Sequence, residues 1–242
     1  MRAHAFMLVK RALYPGTDVA LRQRLQLVRH FRPGPVATLD VGCGNGAFAL
    51  AAYRLGNEVL GIDSNPENIR RCREYASYVG VDEARCRFAV GNVHTLEDLG
   101  ERFDQIVAFE LLEHLAHADE AVHRLAHLLA NGGILHLSTP YLHRRAFYGE
   151  VLSDVEDGGH LRLGYTQYQL CTMLTSAGLE PTQTDAVVGP WSRHSLELVN
   201  RVQDRLGRAG AVAALAATAP IRLLDAWSSG PRLIVYARGQ KP

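Results

Sequence analysis

The run from Leu39 to Gly46, Leu-Asp-Val-Gly-Cys-Gly-Asn-Gly, ends a short apolar stretch and leads directly into a helical pattern. Glycines at alternate positions let the backbone turn tightly and let a ligand approach the main chain. The helix that follows turns its first N–H groups toward that ligand. Around this unit, short apolar runs alternate with helical periods. We predict strands over 36–41, 58–62, 86–90, 103–109, 134–138, 180–188 and 231–237. Helices are predicted over 19–31, 46–55, 66–78, 120–129 and 166–177, with an apolar helical insertion over 191–227. Such alternation predicts an α/β, Rossmann-like fold: a seven-stranded, mostly parallel sheet, helices on both faces, and a helical insertion before the last strand.

Two carboxylates define the ends of the expected ligand. Asp63 closes the second strand, where an acidic side chain accepts from both hydroxyls of a ribose. Asp40 precedes the first glycine, where it anchors the turn and meets a cationic amino-acid tail, directly or through water. A dinucleotide site needs G-x-G-x-x-G, with its third glycine inside the helix. Here the glycines are 42, 44 and 46, followed by Ala47-Phe48-Ala49. S-adenosylmethionine has a ribose and an amine and lacks a pyrophosphate, so it fits this spacing and a nicotinamide dinucleotide does not.

Composition bounds the partners. The formal net charge of the 242-residue chain is +1, which provides no strong field for nucleic acid or an anionic membrane. The acceptor is therefore expected to be a small molecule. Cys43, Cys72, Cys86 and Cys171 make no C-x-x-C pair, which argues against a zinc knuckle and suggests a reducing, cytoplasmic setting. The apolar run at 1–10 is too short for a signal peptide. The most apolar stretch, 209–224, contains Pro220 and Arg222 and is too short to span a bilayer.

The run Leu39 to Gly46 resembles motif I of class I S-adenosylmethionine-dependent methyltransferases. Gly61-Ile62-Asp63 is similar to their second motif. Phe103-Asp104-Gln105-Ile106-Val107, with Glu110 to His114, resembles the fourth-strand region. Leu128-Leu129-Ala130-Asn131-Gly132-Gly133 resembles the family's turn before the fifth strand, with Asn131 in place of the usual proline. The resemblance implies that Asp40 and Gly42 hold the methionine tail, Gly44 lies close to the cofactor, and Asp63 binds the ribose. Ser64 would neighbour the adenosine, and Glu110 the cofactor region. The family often has Asp after the third strand; here Asn92 would accept from the adenine amine and Val93 would supply a backbone contact. The resulting expectation is one domain over 1–242. It comprises an N-terminal helical lid (1–35), a cofactor-binding core (36–140), an active-site loop (141–165) and the helical insertion (190–228).

Glu110, Glu113 and His114 sit at i, i+3 and i+4, on one face if helical. Converging carboxylates and an imidazole suit Mg²⁺, Mn²⁺, Fe²⁺ or Zn²⁺, and a histidine from the loop, His143 or His160, would complete the set. The string resembles the E-x-x-E-H element of ubiquinone-type O-methyltransferases and of small-RNA 2′-O-methyltransferases, and His160 resembles their later histidine. The other reading has Glu110 beside the cofactor and His114 packing, with no metal. His94, His114, His143 and His160 are the candidate acid–base groups; His117, His123, His127 and His136, on the fourth crossover helix or fifth strand, read as structural. Tyr14, Phe147, Tyr148, Tyr165, Tyr168 and Trp191 are candidate acceptor-pocket aromatics. Arg144, Arg145, Arg162 and Arg193 would suit an anionic acceptor or a solvated face. The leading expectation is O-methylation of a phenol, quinol precursor or sugar. C- or N-methylation of a natural product and RNA 2′-O-methylation are the alternatives. The insertion reads as a homodimer interface or a lid.

Overall fold

The computed structural model describes residues 14, 16–96, 99–146 and 150–242. The expected signal-peptide test at 1–10 and the aromatics Phe147 and Tyr148 lie outside the described residues. The chain forms two compact units. A sheet unit comprises Leu27–Arg145, Val151–Ala186 and Ile234–Pro242; a helical unit comprises Met1–Gln26, Ala146–Glu150 and Val187–Leu233.

The sheet has seven strands: β1 Ala37–Val41, β2 Glu58–Asp63, β3 Cys86–Val90, β4 Phe103–Phe109, β5 Leu129–Pro140, β6 Glu180–Val187 and β7 Ile234–Gln240. Their order is β3-β2-β1-β4-β5-β7-β6. Strands β3 to β5 are parallel through β2, β1 and β4, and β7 runs antiparallel to β5. From Thr38 to Val41, β1 is buried on both faces, as the centre of a parallel sheet covered by helices must be. The strand order reverses between β1 and β4. At such a switch point the carboxyl ends of the strands open a crevice. Gly42, Ser64, Gly91 and Glu110 each follow directly on β1, β2, β3 and β4 at that edge.

The crossover helices of this unit are Ala47–Arg54, Pro66–Tyr78, Ala118–Leu128 and Gln167–Ser176. Asn65 starts the second by accepting from the Glu67 N–H at 2.9 Å, with Pro66 in the first turn. Thr166 and Gln169 start the last with a reciprocal capping box. β1, β2 and β6 each differ from the expected bounds by one residue at one end, and the larger departures are in β5 and β7. β5 begins at Leu129 because Phe103 pairs with Leu129 across an irregular register before Gln105 pairs with Ile134. Gly132, at φ +71°, turns the chain within the strand. β7 begins at Ile234, three residues late, because Pro231 has no N–H and the Leu233 N–H donates to the Val188 carbonyl.

At the opposite edge a buried polar network ties the strands together. The Gln105 Oε1 accepts from the Arg32 N–H at 2.8 Å and lies 3.0 Å from His136 Nε2. Its amide donates to Thr38 and Asn57. Because Gln105 Oε1 can only accept, His136 carries its proton on Nε2, and Nδ1 accepts from the Tyr236 hydroxyl at 2.8 Å. Burial holds His136 well below the usual imidazole range. The structural reading therefore holds for His136, whereas His117, His123 and His127, read the same way, are exposed and fill no core position.

The helical unit contains Val19–Arg24, Pro190–Ala217 and Ala219–Arg222, which we call α1, α2 and α3. The predicted helix over 19–31 gives way at Leu25 to a 3₁₀ segment, Leu25–His30. Gly207 interrupts α2 at φ 67° and ψ −165°. Asp225, 8% exposed, accepts from the Trp191 and Ser192 N–H groups at 2.9 and 3.1 Å and so caps the start of α2. Among the described residues no single helix is long and apolar enough to cross a membrane. Pro190–Ala217 with Ala219–Trp227 passes by length and composition as a pair, bent by 51°.

Candidate active site

The glycine turn forms the base of the crevice. Gly42 and Gly44 have φ of +70° and +53°, a region closed to most side chains. A Cβ at Gly42 would lie 3.1 Å from Leu111 Cδ1, whereas around Gly44 the nearest atom would be the Gly42 carbonyl oxygen at 4.0 Å. The space beside Gly44 is thus open to a ligand. Asp63 Oδ2 accepts from the Gly44 N–H at 2.8 Å, while Oδ1 accepts from the Asn65 N–H and the Asn68 amide at 2.9 and 3.2 Å. A carboxylate has about four acceptor positions, so Asp63 braces the turn and keeps capacity for a ribose hydroxyl. Asn68 carried no signal in the sequence; only its place one turn into the helix after Pro66 brings it to Asp63.

Asp40 is 2% exposed, and its Oδ2 accepts from the Ala49 N–H at 2.9 Å. Burial raises its pKa to about 7, against the lowering effect of that hydrogen bond. Ser64 and Asn92 are exposed at the carboxyl edge, and Val93 is buried. Asn92 Oδ1 accepts from the His94 N–H at 2.9 Å, which fixes the turn after β3.

The E-x-x-E-H string does not form one helical face. Glu110 has φ +52°, an uncommon backbone for a residue other than glycine. Only Leu112–His114 forms a 3₁₀ turn. Glu110 is drawn toward β5: its N–H donates to the Ser138 carbonyl at 2.7 Å, and its Oε1 accepts from the Ser138 hydroxyl at 3.2 Å. The structure instead brings together Glu113, His114 and His160, whose candidate ligand atoms all lie within 4.8 Å of one another. Glu113 is fully buried. The His114 and His160 rings meet edge to face at 4.6 Å. The segment carrying His160 is held there by the Leu161 N–H, which donates to the Glu113 carbonyl at 2.9 Å.

His114 Nδ1 lies 2.9 Å from the Gly159 carbonyl, which can only accept, so Nδ1 holds the proton. Burial lowers the His114 pKa, the Gly159 carbonyl opposes this, and His160 adds to it. The ring is therefore neutral at physiological pH, with Nε2 left as a lone-pair donor.

His143 is exposed, edge-on to Tyr141 at 5.5 Å, and does not join the cluster. His94 Nε2 contacts Glu156 Oε2 at 2.9 Å. Tyr168 is 81% exposed, which removes it from any pocket wall in this structure. Tyr165 is buried, with its hydroxyl accepting from Arg162 at 2.7 Å. Arg162 also donates to the Leu115 carbonyl, and Arg193 pairs with Glu197, so both serve internal contacts. The loop from Leu142 to Gly164 is closed at its root. The Leu142 N–H donates to the Tyr165 carbonyl, and the Tyr165 N–H to the Pro140 carbonyl, each at 3.0 Å. A Cβ at Gly164 would fall 1.8 Å from the Pro140 carbonyl oxygen.

Residues 35–182 match the family model described as a methyltransferase domain. Over 175 residues, 66% of this chain and 69% of the relative, the sequence is 30% identical to the ubiquinone biosynthesis O-methyltransferase of Methylobacterium sp. (strain 4-46). It is 35% identical over 121 residues to the Azorhizobium caulinodans protein of that name, covering 47% of each. The chain thus spans about half the length of that curated relative. Among solved structures it is similar to the [4+2]-cyclase SpnF, with TM-score 0.63, 25% identity and coverage of 90% and 81% of the two chains. Coclaurine N-methyltransferase bound to S-adenosylhomocysteine shares the fold at TM-score 0.63 and 15% identity, covering 92% of this chain and 72% of that one. The chain belongs to the class I S-adenosylmethionine-dependent methyltransferases.

Proposed function

We propose that this chain methylates a hydroxyl of a small, quinol-type acceptor. The observation that carries the reading is the Glu113–His114–His160 cluster, at the turn after β4 in a chain similar to ubiquinone biosynthesis O-methyltransferases. Asp63 would hold the ribose, the open space at Gly44 would receive the cofactor backbone, and Asp40 would face the amino-acid tail. Glu110, braced by Ser138, would line the cofactor side. When bound, the sulfonium supplies an already activated methyl group, so alignment is the main task left to the protein. His114 Nε2 would accept the proton of the acceptor hydroxyl, with Gly159 holding the ring in the right tautomer.

The donor set also fits a divalent ion, through one buried carboxylate and two imidazoles. Glu113, His114 and His160 would hold it, without Glu110 or His143, and it would lower the proton affinity of an acceptor oxygen.

The test is release of S-adenosylhomocysteine with a panel of catechols, sugars and RNA. Catechol or quinol turnover that falls roughly 10²- to 10⁴-fold in His114→Gln supports the reading. Turnover confined to amines, or to RNA with steep salt dependence, would overturn it. Full activity after chelation, with an unaltered Glu113→Ala variant, would sink the metal role alone.

A further inference from the structure

Of the acid–base candidates in the sequence, His94 has no part in the chemistry above, and its partner is Glu156. Glu156 Oε1 accepts from the Ala116 N–H, and Oε2 lies 2.9 Å from His94 Nε2. The Ala116 N–H holds the Glu156 carboxyl below the usual range, partial burial opposes this, and His94 adds to the lowering. An ionised carboxylate only accepts, so His94 Nε2 carries its proton and has no lone pair for an acceptor. The His94 and Glu156 side chains are 30% and 32% exposed, covered enough for the contact to escape most screening by salt.

Glu156 stands at the tip of a small strap. The Ser153 N–H donates to the His160 carbonyl at 2.8 Å and Leu152 bridges to His160, which closes 153–160 into a loop with Glu156 and Asp157 at its apex. Within it, Asp157 Oδ1 accepts from the Gly159 N–H at 2.9 Å. The root is fixed to the turn after β4, by the Leu161 N–H on the Glu113 carbonyl and by Arg162 on the Leu115 carbonyl. The apex reaches further. Through Glu156 it holds Ala116, after β4, and His94, after β3. In the sheet β2 and β1 lie between those two strands. One side chain therefore joins turns on either side of the strands that carry Asp63 and the glycine turn.

With the amino-acid tail facing Asp40 on β1 and the ribose at Asp63 on β2, the nucleobase falls toward β3, the next strand out. Its wall there is the turn that Asn92 fixes through the His94 N–H. We infer that Glu156 is a positioning residue for methyl transfer, which clasps His94 and Ala116 and so holds the strap closed at the nucleobase end of the crevice, retaining the cofactor. The same strap brings Gly159 to His114 and His160 to its cluster, so the cofactor side and the acceptor side close together. The inference rests on the cofactor placement proposed above and is independent of which acceptor is methylated.

Surface plasmon resonance of S-adenosylhomocysteine on the immobilised full chain tests it, through the dissociation rate. Glu156→Ala removes both bonds and should speed dissociation by roughly tenfold. Glu156→Gln keeps an oxygen for the Ala116 N–H and a polar group for His94, and should recover most of the parent rate. His94→Ala should produce part of the rise alone and add little in the Glu156→Ala background, because the two side chains act through one contact. Unchanged far-ultraviolet circular dichroism shows each variant folded. Asp63→Ala controls for the cofactor placement and should lose most of the affinity. Parent-like dissociation in Glu156→Ala, with affinity lost in Asp63→Ala, would refute the clasp alone. Affinity kept in Asp63→Ala would refute the placement and the clasp with it. Full additivity of His94→Ala and Glu156→Ala, or no recovery in Glu156→Gln, would also overturn the inference.

Discussion

Asp40→Asn removes the charge beneath the glycine turn and keeps an oxygen for the Ala49 N–H. In the folded chain the Asp40 pKa is about 7, against 3.8 for an unperturbed aspartate. Each unit is worth about 1.4 kcal/mol, so holding Asp40 ionised above about pH 8 opposes folding by about 4 kcal/mol. Since the folded-state value is raised, the native state binds more protons than the unfolded chain between the two values. Its contribution to stability is present below pH 4 and is lost as pH rises toward 7. Asparagine has no such dependence. The unfolding free energy of the variant should therefore exceed that of the parent by about 2 kcal/mol near pH 5 and about 4 kcal/mol near pH 8. Urea unfolding followed by far-ultraviolet circular dichroism measures both, and titrating groups that do not sense the Asp40 charge cancel in the difference. A gap of the same size at both pH values, or a variant less stable at the higher one, would refute the reasoning. Calorimetry provides a second arm. The parent should bind S-adenosylmethionine more tightly as pH rises from about 6 to about 8, because its carboxylate ionises to meet the amine, and Asp40→Asn should bind weakly at both.

His136 is held neutral in the fold, so acid should destabilise the protein below about pH 6.5 with a contribution of about 1.4 kcal/mol per unit. The same unfolding series in His136→Gln should lose that slope. Glu110→Gly relieves a left-handed backbone worth about 1 kcal/mol and should not lower the melting temperature, while cofactor affinity falls with the carboxylate. Gly164→Ala forces a methyl into the Pro140 carbonyl and should destabilise the protein by about 2–4 kcal/mol, read as a lower denaturant midpoint at an unchanged slope.

The sheet was legible because parallel strands buried on both faces leave unbroken apolar runs such as Ile106-Val107-Ala108, and because Asn65-Pro66 and Thr166 mark helix starts chemically. The ends of β5 and β7 were not, since Gly132 turns within the strand and Pro231 only delays pairing. The spacing of Glu110, Glu113 and His114 suggested one helical face. The chain resolves it otherwise because Ser138, twenty-eight residues on, draws Glu110 into a backbone no helix contains. The tautomer of His114 and the arrival of His160 depend on Gly159 and on the bond from Leu161 to Glu113. These are long-range contacts that leave no local pattern.

The root of the loop after β5 has an evolutionary consequence. Tyr141 and Tyr165 hold its two ends in register with the sheet, and Gly164 locks the return strand against Pro140. Within the segment, the described contacts with the core run through Glu156 and through Gly159 to Arg162, which bind the turns after β3 and β4. Doubling its length would add only about 0.6 kcal/mol of closure entropy. Insertions or deletions ahead of Glu156 can be sampled with the glycine turn and the Glu113–His114–His160 cluster left intact, so one scaffold can diversify its acceptors by altering a cassette rather than by rebuilding a core.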